Sequence, residues 1–202
     1  MAPETPSERI VGLYERHAQT FDRDRGKTLI ERPWLDRFLA HVPVGGTVLD
    51  VGCGTGEPIA RYLLQSGRRV VGLDSSRSMI EICRARYPEA EWQVGDMRQL
   101  ALGRTFDGLL AWDSFFHLAA DDQRRMFARF AVHAAPGAPL MFTSGGAAGE
   151  AIGEFCGEPL FHASLDPAEY GRLLDMNGFT VLEHATDPDC GDHTIWLASK
   201  RA

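Results

Sequence analysis

The residues best suited to bind a ligand lie in one glycine-rich segment, Val48-Leu49-Asp50-Val51-Gly52-Cys53-Gly54-Thr55-Gly56-Glu57. Glycines carry no Cβ, so a ligand can lie against the backbone, and exposed N–H groups can face its polar end. Asp74 follows at the end of the next apolar run. A carboxylate at that place can accept hydrogen bonds from both hydroxyls of a ribose. The spacing therefore predicts a site for a ribose-containing ligand.

The charges around this turn distinguish two ligands. A dinucleotide fingerprint is G-x-G-x-x-G, but here the third glycine comes one residue early, at Gly56, and Glu57 takes its place. Carboxylates at Asp50 or Glu57 would repel a pyrophosphate, whereas they suit an ammonium group. S-adenosylmethionine carries an ammonium, a sulfonium and a ribose, and no phosphate. The pattern favours S-adenosylmethionine over NAD.

The elements that must position these residues alternate along the chain. Short apolar runs are separated by helix-length amphipathic segments, which is typical of βαβ units in a doubly wound, mostly parallel sheet with helices on both faces. The predicted strands cover 47–51, 69–73, 91–94, 106–112 and 139–143, and the predicted helices 58–65, 77–86 and 121–133.

The flanking segments differ from this alternation. The first forty residues are predicted to be helical, with Ser7 as the N-cap of the first helix. Segment 144–157 holds five glycines and is predicted to be a flexible connection or lid. Asp166 starts another helix, and runs 179–184 and 194–198 predict an antiparallel hairpin at one edge of the sheet.

Length and composition limit the class of protein. The chain has 202 residues, 44% of them hydrophobic and 24% charged, as expected for one globular domain. Its net charge of −7 disfavours nucleic-acid and membrane-surface binding. The four cysteines show no zinc or disulfide spacing, and no secretory signal or membrane span is apparent, so we expect a cytoplasmic protein.

Four segments together resemble the Rossmann-like (class I) S-adenosylmethionine-dependent methyltransferases of the small-molecule type. LDVGCGTG is similar to their first motif, and GLDSSRSMI, VGDMRQL and FDGLLAWDSFFHL follow in the family's order. The resemblance implies a seven-stranded sheet with an antiparallel C-terminal edge strand and an N-terminal helical cap. It divides the chain into a cap (1–43), a cofactor-binding half (44–143), and a lid with the substrate-side half (144–202).

The resemblance also assigns residues to the cofactor. Asp74 is the ribose-binding acid, Asp96 lies beside the adenine amino group and Met97 beside the ring, and an aromatic cap residue, Tyr14, closes over the ligand. The predicted cofactor-binding residues are Tyr14, Asp50, Gly52, Cys53, Gly54, Gly56, Asp74, Ser75, Asp96, Met97, Trp112 and Asp113.

Histidines and a tyrosine beyond these motifs are candidates for the acceptor side. His117, four residues after Asp113, is the predicted general base, because an imidazole can deprotonate a hydroxyl or an ammonium near neutral pH. His162 and Tyr170 are predicted substrate contacts, although structural roles are an alternative for both. His184, Cys190 and His193 match no zinc spacing and are interpreted as solvated hairpin residues, so no metal is expected.

The predicted function is methyl transfer from S-adenosylmethionine, giving S-adenosylhomocysteine, to oxygen or nitrogen of a small molecule. A monomer or homodimer without a nucleic-acid or membrane partner is expected. Two alternatives stay open: a protein that binds S-adenosylmethionine but does other chemistry or none, and an NAD-dependent oxidoreductase.

Overall fold

The computed structural model describes residues 4–202, so the first three residues of the predicted cap lie outside the described part. The helices are α1 (Pro6–Asp24), α2 (Arg32–Leu39), α3 (Ile59–Gln65), α4 (Arg77–Arg86), α5 (Ala120–His133) and α6 (Pro167–Met176). The strands are β1 (Thr47–Val51), β2 (Arg69–Asp74), β3 (Glu91–Val94), β4 (Gly108–Ala111), β5 (Pro139–Ser144), β6 (Gly149–Phe155), β7 (Glu158–Ser164), β8 (Phe179–Asp187) and β9 (His193–Lys200).

Seven of these strands form one sheet in the order β3-β2-β1-β4-β5-β9-β8. The pairs from β3 to β5 are parallel, whereas β9 runs antiparallel to both of its neighbours. The predicted doubly wound, mostly parallel sheet with an antiparallel C-terminal hairpin at its edge is thus confirmed. Within that hairpin β8 takes the outermost place, so the last strand lies one position inside the edge.

The order of the central strands creates a crevice at one edge of the sheet. Strand β1 pairs with β2 on one side and with β4 on the other, so β2 and β3 are added to the sheet on one side of β1 and β4 and β5 on the opposite side. Ligands of open α/β sheets bind at such a point, beyond the carboxyl ends of the strands. The glycine-rich turn, Asp74 and Asp113 all follow these strand ends and therefore converge there.

Both faces of the sheet are covered, as the continuous apolar strands predict. In β1, Leu49 and Val51 pack under α5 and α6, whereas Val48, the residue before Leu49, packs under α2, α3 and α4. Strand β5 repeats this alternation, with Phe142 on the first face and Met141 on the second. The two cores hold the central strands rigidly, which fixes the strand ends at the crevice.

Helix α1 starts with a capping box. The hydroxyl of Thr5 accepts from the backbone N–H of Glu8, and the Glu8 carboxylate accepts from the Thr5 N–H at 2.7 Å. The prediction of Ser7 as the N-cap was therefore wrong. Pro6 occupies the first helical position, where its fixed φ fits and its missing N–H has no intrahelical partner to lose, so the cap is the residue before it.

Side-chain hydrogen bonds dock α1 onto the sheet domain. The Glu15 carboxylate accepts from the Ser76 hydroxyl at 2.6 Å and from the Ser78 hydroxyl at 2.8 Å, at the N-terminus of α4. Nearer its end, Asp22 pairs with Arg86 at 2.7 Å. Negative side chains are favourable at a helix N-terminus, because the first N–H groups there lack intrahelical partners. The helix is thereby held across the crevice.

Segment 144–157 contains most of a β-hairpin, so its prediction as a flexible connection was wrong. Strands β6 and β7 pair in register from Gly149↔Ser164 to Phe155↔Glu158. Cys156 and Gly157 form the two-residue loop and have φ values of 54° and 77°, the positive values that a tight hairpin turn needs. Phe161 of β7 packs against α1, so tertiary contact orders the segment despite its glycines.

Candidate functional site

The glycine-rich turn leaves β1 with a backbone that other residues adopt poorly. Gly52, Gly54 and Gly56 have φ values of 77°, 54° and 79°, in the left-handed region that favours glycine. A Cβ on Gly52 would lie 2.3 Å from the Cβ of Ser114. The turn therefore requires glycine at position 52 for its conformation and for its close approach to the segment after β4.

Asp74 ends β2 and is held by backbone N–H groups. One carboxylate oxygen accepts from the Gly54 N–H at 2.9 Å, and the other accepts from the Ser76 N–H at 2.9 Å. Burial raises the pKa of this carboxyl, although the N–H groups oppose the rise. The two bonds fix the carboxylate at the mouth of the crevice, and each oxygen keeps a second lone pair for a ligand.

Two adjoining cavities occupy the crevice. The first is lined by the predicted site residues Asp74, Ser75, Asp96 and Met97. The second is lined by Asp50, Cys53, Trp112 and His162. The predicted site residues that line both cavities are Tyr14, Gly52, Gly54, Asp113 and His117, and Phe21 also lines both. Thirteen of the fifteen residues that the sequence assigned to a ligand therefore lie around one continuous space.

Asp50 carries a buried carboxylate at the wall of the second cavity. Its relative exposure is 3%, and residues 4–202 supply it with no hydrogen bond. Burial, together with the negative charge of Asp74, raises the pKa of Asp50 to about 7. A buried carboxylate without a partner is costly. A cationic group in the second cavity would remove that cost.

Aromatic side chains from α1 and β6 cover the shared part of the two cavities. Tyr14 lies edge-on to Phe21, with ring centroids 5.7 Å apart, and 5.8 Å from the ring of Phe155. Glu158, just beyond the hairpin turn, accepts from His17 at 2.7 Å and pairs with Arg16. The cap helix and the hairpin are thus joined to each other above the crevice, which limits access of water.

His117, the predicted general base, has both ring nitrogens engaged. Nδ1 lies 2.8 Å from the carbonyl oxygen of Phe161, so it carries the proton and donates. Nε2 lies 3.0 Å from the hydroxyl of Tyr14 and therefore accepts. Burial lowers the pKa of His117 to about 4, and burial raises the pKa of the Tyr14 phenol well above its usual value. The pair is neutral and positions Tyr14 over the cavities.

His193 lies at the site, although the sequence analysis set it aside as a solvated hairpin residue. Its Nδ1 is 2.9 Å from Oδ1 of Asp113, and the ring lines the second cavity. Asp113 has a φ of 47°, and its N–H donates to the Thr143 hydroxyl at 2.9 Å. No local pattern indicates His193, because the pairing of β9 with β5 alone brings it beside the end of β4.

Asp96 has a structural role as well as its place at the first cavity. Its carboxylate caps the short 3₁₀ turn at 97–99 by accepting from the Arg98 N–H at 2.8 Å, and it forms an ion pair with the Arg98 guanidinium at 2.6 Å. One side chain can therefore serve both this capping role and the predicted adenine contact. The contact of Asp96 with a ligand stays a prediction.

Two predicted site residues lie away from the cavities. Tyr170 has a relative exposure of 0% in the core under α6, where its hydroxyl donates to Gln123 at 2.5 Å and accepts from the Leu165 N–H at 3.0 Å. The prediction of a substrate contact there is replaced by a packing role. Gly56 faces Trp92 and Cys83 and shapes the turn from behind.

The other candidate ligands of a metal are dispersed. His184 stacks on Trp196 with ring centroids 4.0 Å apart, and Cys190 is buried beside the carbonyl of Ile30. Among residues 4–202, no three His, Cys, Asp or Glu side chains come together in a group that could hold a metal ion. In the same part of the chain, every helix is too short or too polar to cross a bilayer.

Comparison with known proteins agrees with this geometry. Residues 48–137 match the family described as "Methyltransferase domain". The chain is 40% identical over 129 residues to dTDP-3-amino-3,6-dideoxy-alpha-D-glucopyranose N,N-dimethyltransferase of Streptomyces fradiae, covering 63% of this chain and 49% of that protein. It is 37% identical over 99 residues to dTDP-4-amino-2,3,4,6-tetradeoxy-D-glucose N,N-dimethyltransferase of Saccharopolyspora spinosa, covering 48% of this chain and 39% of that protein. The chain thus spans half or less of the length of these relatives.

Solved structures share the fold. An amino pentose methyltransferase from Micromonospora echinaspora with bound S-adenosylmethionine superposes with a TM-score of 0.71 at 20% identity, covering 92% of this chain and 96% of that one. Magnesium protoporphyrin IX methyltransferase from Synechocystis superposes with a TM-score of 0.74 at 18% identity, covering 99% of both chains. These structures show the fold that the four motifs predict, and the family match spans the segment that contains all four motifs.

Proposed function

We propose that this chain, which carries a methyltransferase domain of the Rossmann-like class I type, transfers a methyl group from S-adenosylmethionine to a small molecule. The observation that carries the proposal is the acidic, glycine-lined crevice in which the Gly54 N–H holds the Asp74 carboxylate at 2.9 Å. That arrangement offers the two hydroxyls of a ribose two acceptor oxygens.

The residues of the crevice suit each part of S-adenosylmethionine in turn. Asp74 would accept from the ribose hydroxyls, and Asp96 and Met97 would contact the adenine in the first cavity. Asp50, buried without a hydrogen bond, would receive the α-ammonium in the second cavity. An ammonium brought close to that carboxylate would lower its raised pKa, because an opposite charge favours the ionised form.

The remaining predicted cofactor residues shape the space. Gly52 and Gly54 allow close approach of the ligand, and Gly56 supports the turn from behind. Cys53, Ser75, Trp112 and Asp113 complete the walls. Tyr14 would close over the ligand from the cap, because its hydroxyl is held 3.0 Å from His117.

When bound, the sulfonium of S-adenosylmethionine supplies an electrophilic methyl carbon whose leaving group is already activated. The protein therefore needs to align an acceptor with that carbon and exclude water, and it needs no covalent intermediate. The aromatic cover formed by Tyr14, Phe21 and Phe155 would exclude water from the crevice. His162 lines the second cavity and would contact the acceptor.

Nitrogen or oxygen is the proposed attacking atom, and the relatives named above act on amino groups of sugars. Two other functions stay as alternatives. A protein that binds S-adenosylmethionine without methyl transfer would have the same first cavity. An NAD-dependent oxidoreductase is disfavoured because Asp50 and Glu57 both line the second cavity and would face the pyrophosphate.

Calorimetric titration with S-adenosylmethionine, S-adenosylhomocysteine and NAD tests the proposal. We expect micromolar or tighter binding of the first two and none of NAD. Binding of NAD alone, or of no ligand, would reject the donor and with it the function.

A variant tests the place of the ammonium. Asp50→Asn should weaken S-adenosylhomocysteine by about tenfold or more, since a charged hydrogen bond is lost. It should leave 5′-methylthioadenosine, which lacks the amino-acid part, unchanged. Equal losses for both ligands would remove Asp50 from the ammonium site.

We also propose a role for each of the three segments of the chain. The 1–43 segment would act as the cap, 44–143 as the cofactor half, and 144–202 as the lid and substrate side. A cytoplasmic location and a monomeric or homodimeric state stay predictions of the sequence.

A further inference from the structure

We propose that His193, oriented by Asp113, is the general base of this site and that the acceptor is an amine that arrives as an ammonium ion. The inference rests on the proposed function and deepens it, because it assigns the acceptor class and the residue that takes its proton. It moves the base away from His117, the residue that the sequence favoured.

The geometry around His193 is that of an oriented imidazole. Nδ1 donates to Oδ1 of Asp113 at 2.9 Å, which places the proton on Nδ1 and leaves the lone pair on Nε2. Within residues 4–202 no hydrogen bond reaches Nε2, and the ring lines the second cavity and a third cavity next to it. The Asp113 N–H is in turn anchored to the Thr143 hydroxyl at 2.9 Å, so the carboxylate is held in place.

His117 has the opposite character. Its two ring nitrogens are bonded to the Phe161 carbonyl and the Tyr14 hydroxyl, so no lone pair is left for an acceptor. Burial also lowers its pKa to about 4, which makes it a weak base near neutral pH. Its geometry suits the positioning of Tyr14. His193, whose pKa is raised by the hydrogen bond to Asp113, is the better proton acceptor of the two.

The charge of the second cavity indicates an ammonium. Beyond Asp50, which the donor ammonium would occupy, Glu57 and Asp113 line it. Glu57 is paired with Arg61 at 3.3 Å, and the facing cation, Arg25, is paired with the buried Glu31 at 2.6 Å. A space lined by carboxylates attracts a cation and holds an amine in its protonated form. A protonated amine has no lone pair for attack, so such a site needs a base.

An entry path for the acceptor leads past the same histidine. Phe116, His162 and His193 form the wall common to the second and third cavities, and the rim of the third cavity includes Gly149 and Glu150, which are exposed. An amine that enters under the hairpin therefore passes His193 before it reaches the residues that line both the first and the second cavity. The same path lets the proton leave to solvent.

The proton and electron balance is complete with these groups. Nε2 of His193 takes one proton from R–NH₃⁺ and leaves R–NH₂ and an imidazolium. The nitrogen lone pair forms a bond to the methyl carbon, the carbon–sulfur bond breaks, and its electron pair stays on the sulfur of S-adenosylhomocysteine. The product is R–NH₂–CH₃⁺, and the imidazolium returns its proton to water. A second round on the secondary amine follows the same balance.

The groups that face His193 set its titration. Asp113 lies after β4 and Asp192 immediately before β9, and both raise the pKa, whereas Arg25 after α1 lowers it. His162 on β7 and His117 in the 3₁₀ turn 115–117 are nearby imidazoles whose pKa values are lowered by burial and, to a smaller extent, by the His193 charge. The other carboxylates of the second cavity are Asp50 and Glu57. Asp113→Asn should remove the largest stabilisation of the imidazolium.

The first experiment needs no acceptor. The pKa of His193 is measured by NMR of the imidazole nitrogens in the S-adenosylhomocysteine complex, assigned by loss of the signal in His193→Asn. We expect a pKa above about 6.5, the ordinary value, and a lower pKa in Asp113→Asn. An unchanged pKa in Asp113→Asn, or a His193 that titrates below His117, overturns the dyad.

The second experiment tests the acceptor class and the base together. The probes are dTDP-3-amino-3,6-dideoxyglucose, glucosamine and benzylamine. Each is compared with the matching alcohol, in which a hydroxyl replaces the amino group, and the methylated products are detected by mass spectrometry. We expect methylation of at least one amine and of none of the alcohols. Methylation of alcohols only, or of no amine by a wild-type protein that binds S-adenosylmethionine, overturns the amine assignment. Failure to bind S-adenosylmethionine would instead reject the proposed function.

The pH profile distinguishes a base from a packing residue. His193→Asn keeps a donor for Asp113 and should lower kcat by about 100-fold or more near neutral pH, with unchanged affinity for S-adenosylhomocysteine. Its rate should recover as pH rises toward the pKa of the amine, whereas the wild-type rate reaches a plateau. His184→Asn, on the neighbouring strand but stacked on Trp196, is the matched control and should behave as wild type. A pH-independent loss in His193→Asn overturns the proton role.

Discussion

The two walls of the crevice are built in different ways. On the donor side, the glycine turn and Asp74 come from two strands that follow each other in the chain, and backbone N–H groups hold them together. On the side proposed for the acceptor, His117, His162 and His193 come from three distant segments, and side-chain hydrogen bonds to Tyr14 and Asp113 hold the first and the last of them in place. The donor wall is therefore a local structure with few ways to vary, whereas the acceptor wall depends on the whole fold.

The largest loss of stability is expected when one methyl group is added to the donor wall. Gly52→Ala places a Cβ 2.3 Å from the Cβ of Ser114 at a φ of 77°, so it combines backbone strain with overpacking. We expect a loss of about 3 kcal/mol in the free energy of unfolding. Urea denaturation of the protein without ligand measures it.

Gly45→Ala is the matched control for this change. Gly45 has the same φ of 77°, but a Cβ there meets nothing within 4 Å, so about 1 kcal/mol of strain alone is expected. Equal losses in the two variants would show that close approach to Ser114 does not constrain the turn.

The next largest effect is on ligand affinity. Asp74→Ala removes the proposed ribose acceptor and frees the N–H groups of Gly54 and Ser76 that the carboxylate holds. We expect S-adenosylhomocysteine to bind about 100-fold more weakly, a change of about 2.7 kcal/mol. Calorimetric titration measures the change. Glu89→Ala, which removes an exposed carboxylate, is the control, and a similar loss there would point to general charge instead of the ribose contact.

A pH experiment probes the acceptor wall. The folded pKa of His117 is about 4, below the unfolded value of about 6.5. Between these values the unfolded chain binds a proton that the native state does not, so stability falls as pH falls through this window. From about pH 7.5 to pH 5 we expect His117 to contribute a loss of about 2 kcal/mol.

The measurement is urea denaturation at both pH values for the wild type and for His117→Gln, which cannot titrate. The acid loss should be smaller in the variant by that amount, while His41→Gln, an exposed histidine, should leave the pH dependence unchanged. An identical acid loss in His117→Gln and wild type would mean that His117 titrates normally.

The smallest expected effect concerns the contact between cap and hairpin. Glu158→Gln weakens its pairs with Arg16 and His17, which are partly exposed, so less than about 1 kcal/mol is expected. Dissociation of S-adenosylhomocysteine should become about two- to threefold faster in stopped-flow measurements. Glu154→Gln, on the same hairpin, should have no effect, and a slower release in Glu158→Gln would contradict a closing role.

This contrast also explains what the sequence could predict. The alternation of strands and helices, the glycine turn and Asp74 follow from local pattern, because each feature is complete within a βαβ unit. The hairpin of β6 and β7 was missed because its glycines outweighed the signal of the Cys156-Gly157 turn. Tyr170 was misplaced because a tyrosine after a glycine-rich segment looks accessible, yet Gln123 satisfies its hydroxyl within the core.

His193 was set aside for a different reason. Its neighbours in sequence, His184 and Cys190, point elsewhere, and only the register between β9 and β5 brings it to Asp113. Register over such a distance depends on packing of the whole sheet. The residues proposed to contact the acceptor are therefore the ones that local sequence patterns predict least well.

The raised pKa of Asp50, about 7, has a consequence for the energetics of donor binding. Near neutral pH this carboxyl is partly protonated in the free protein, and on the proposed function an ammonium beside it would drive the proton off. Uptake of the donor would thus release a fraction of a proton into the solution. The heat measured by calorimetry would change with the ionisation enthalpy of the buffer, and the apparent affinity would fall as the solution becomes acidic.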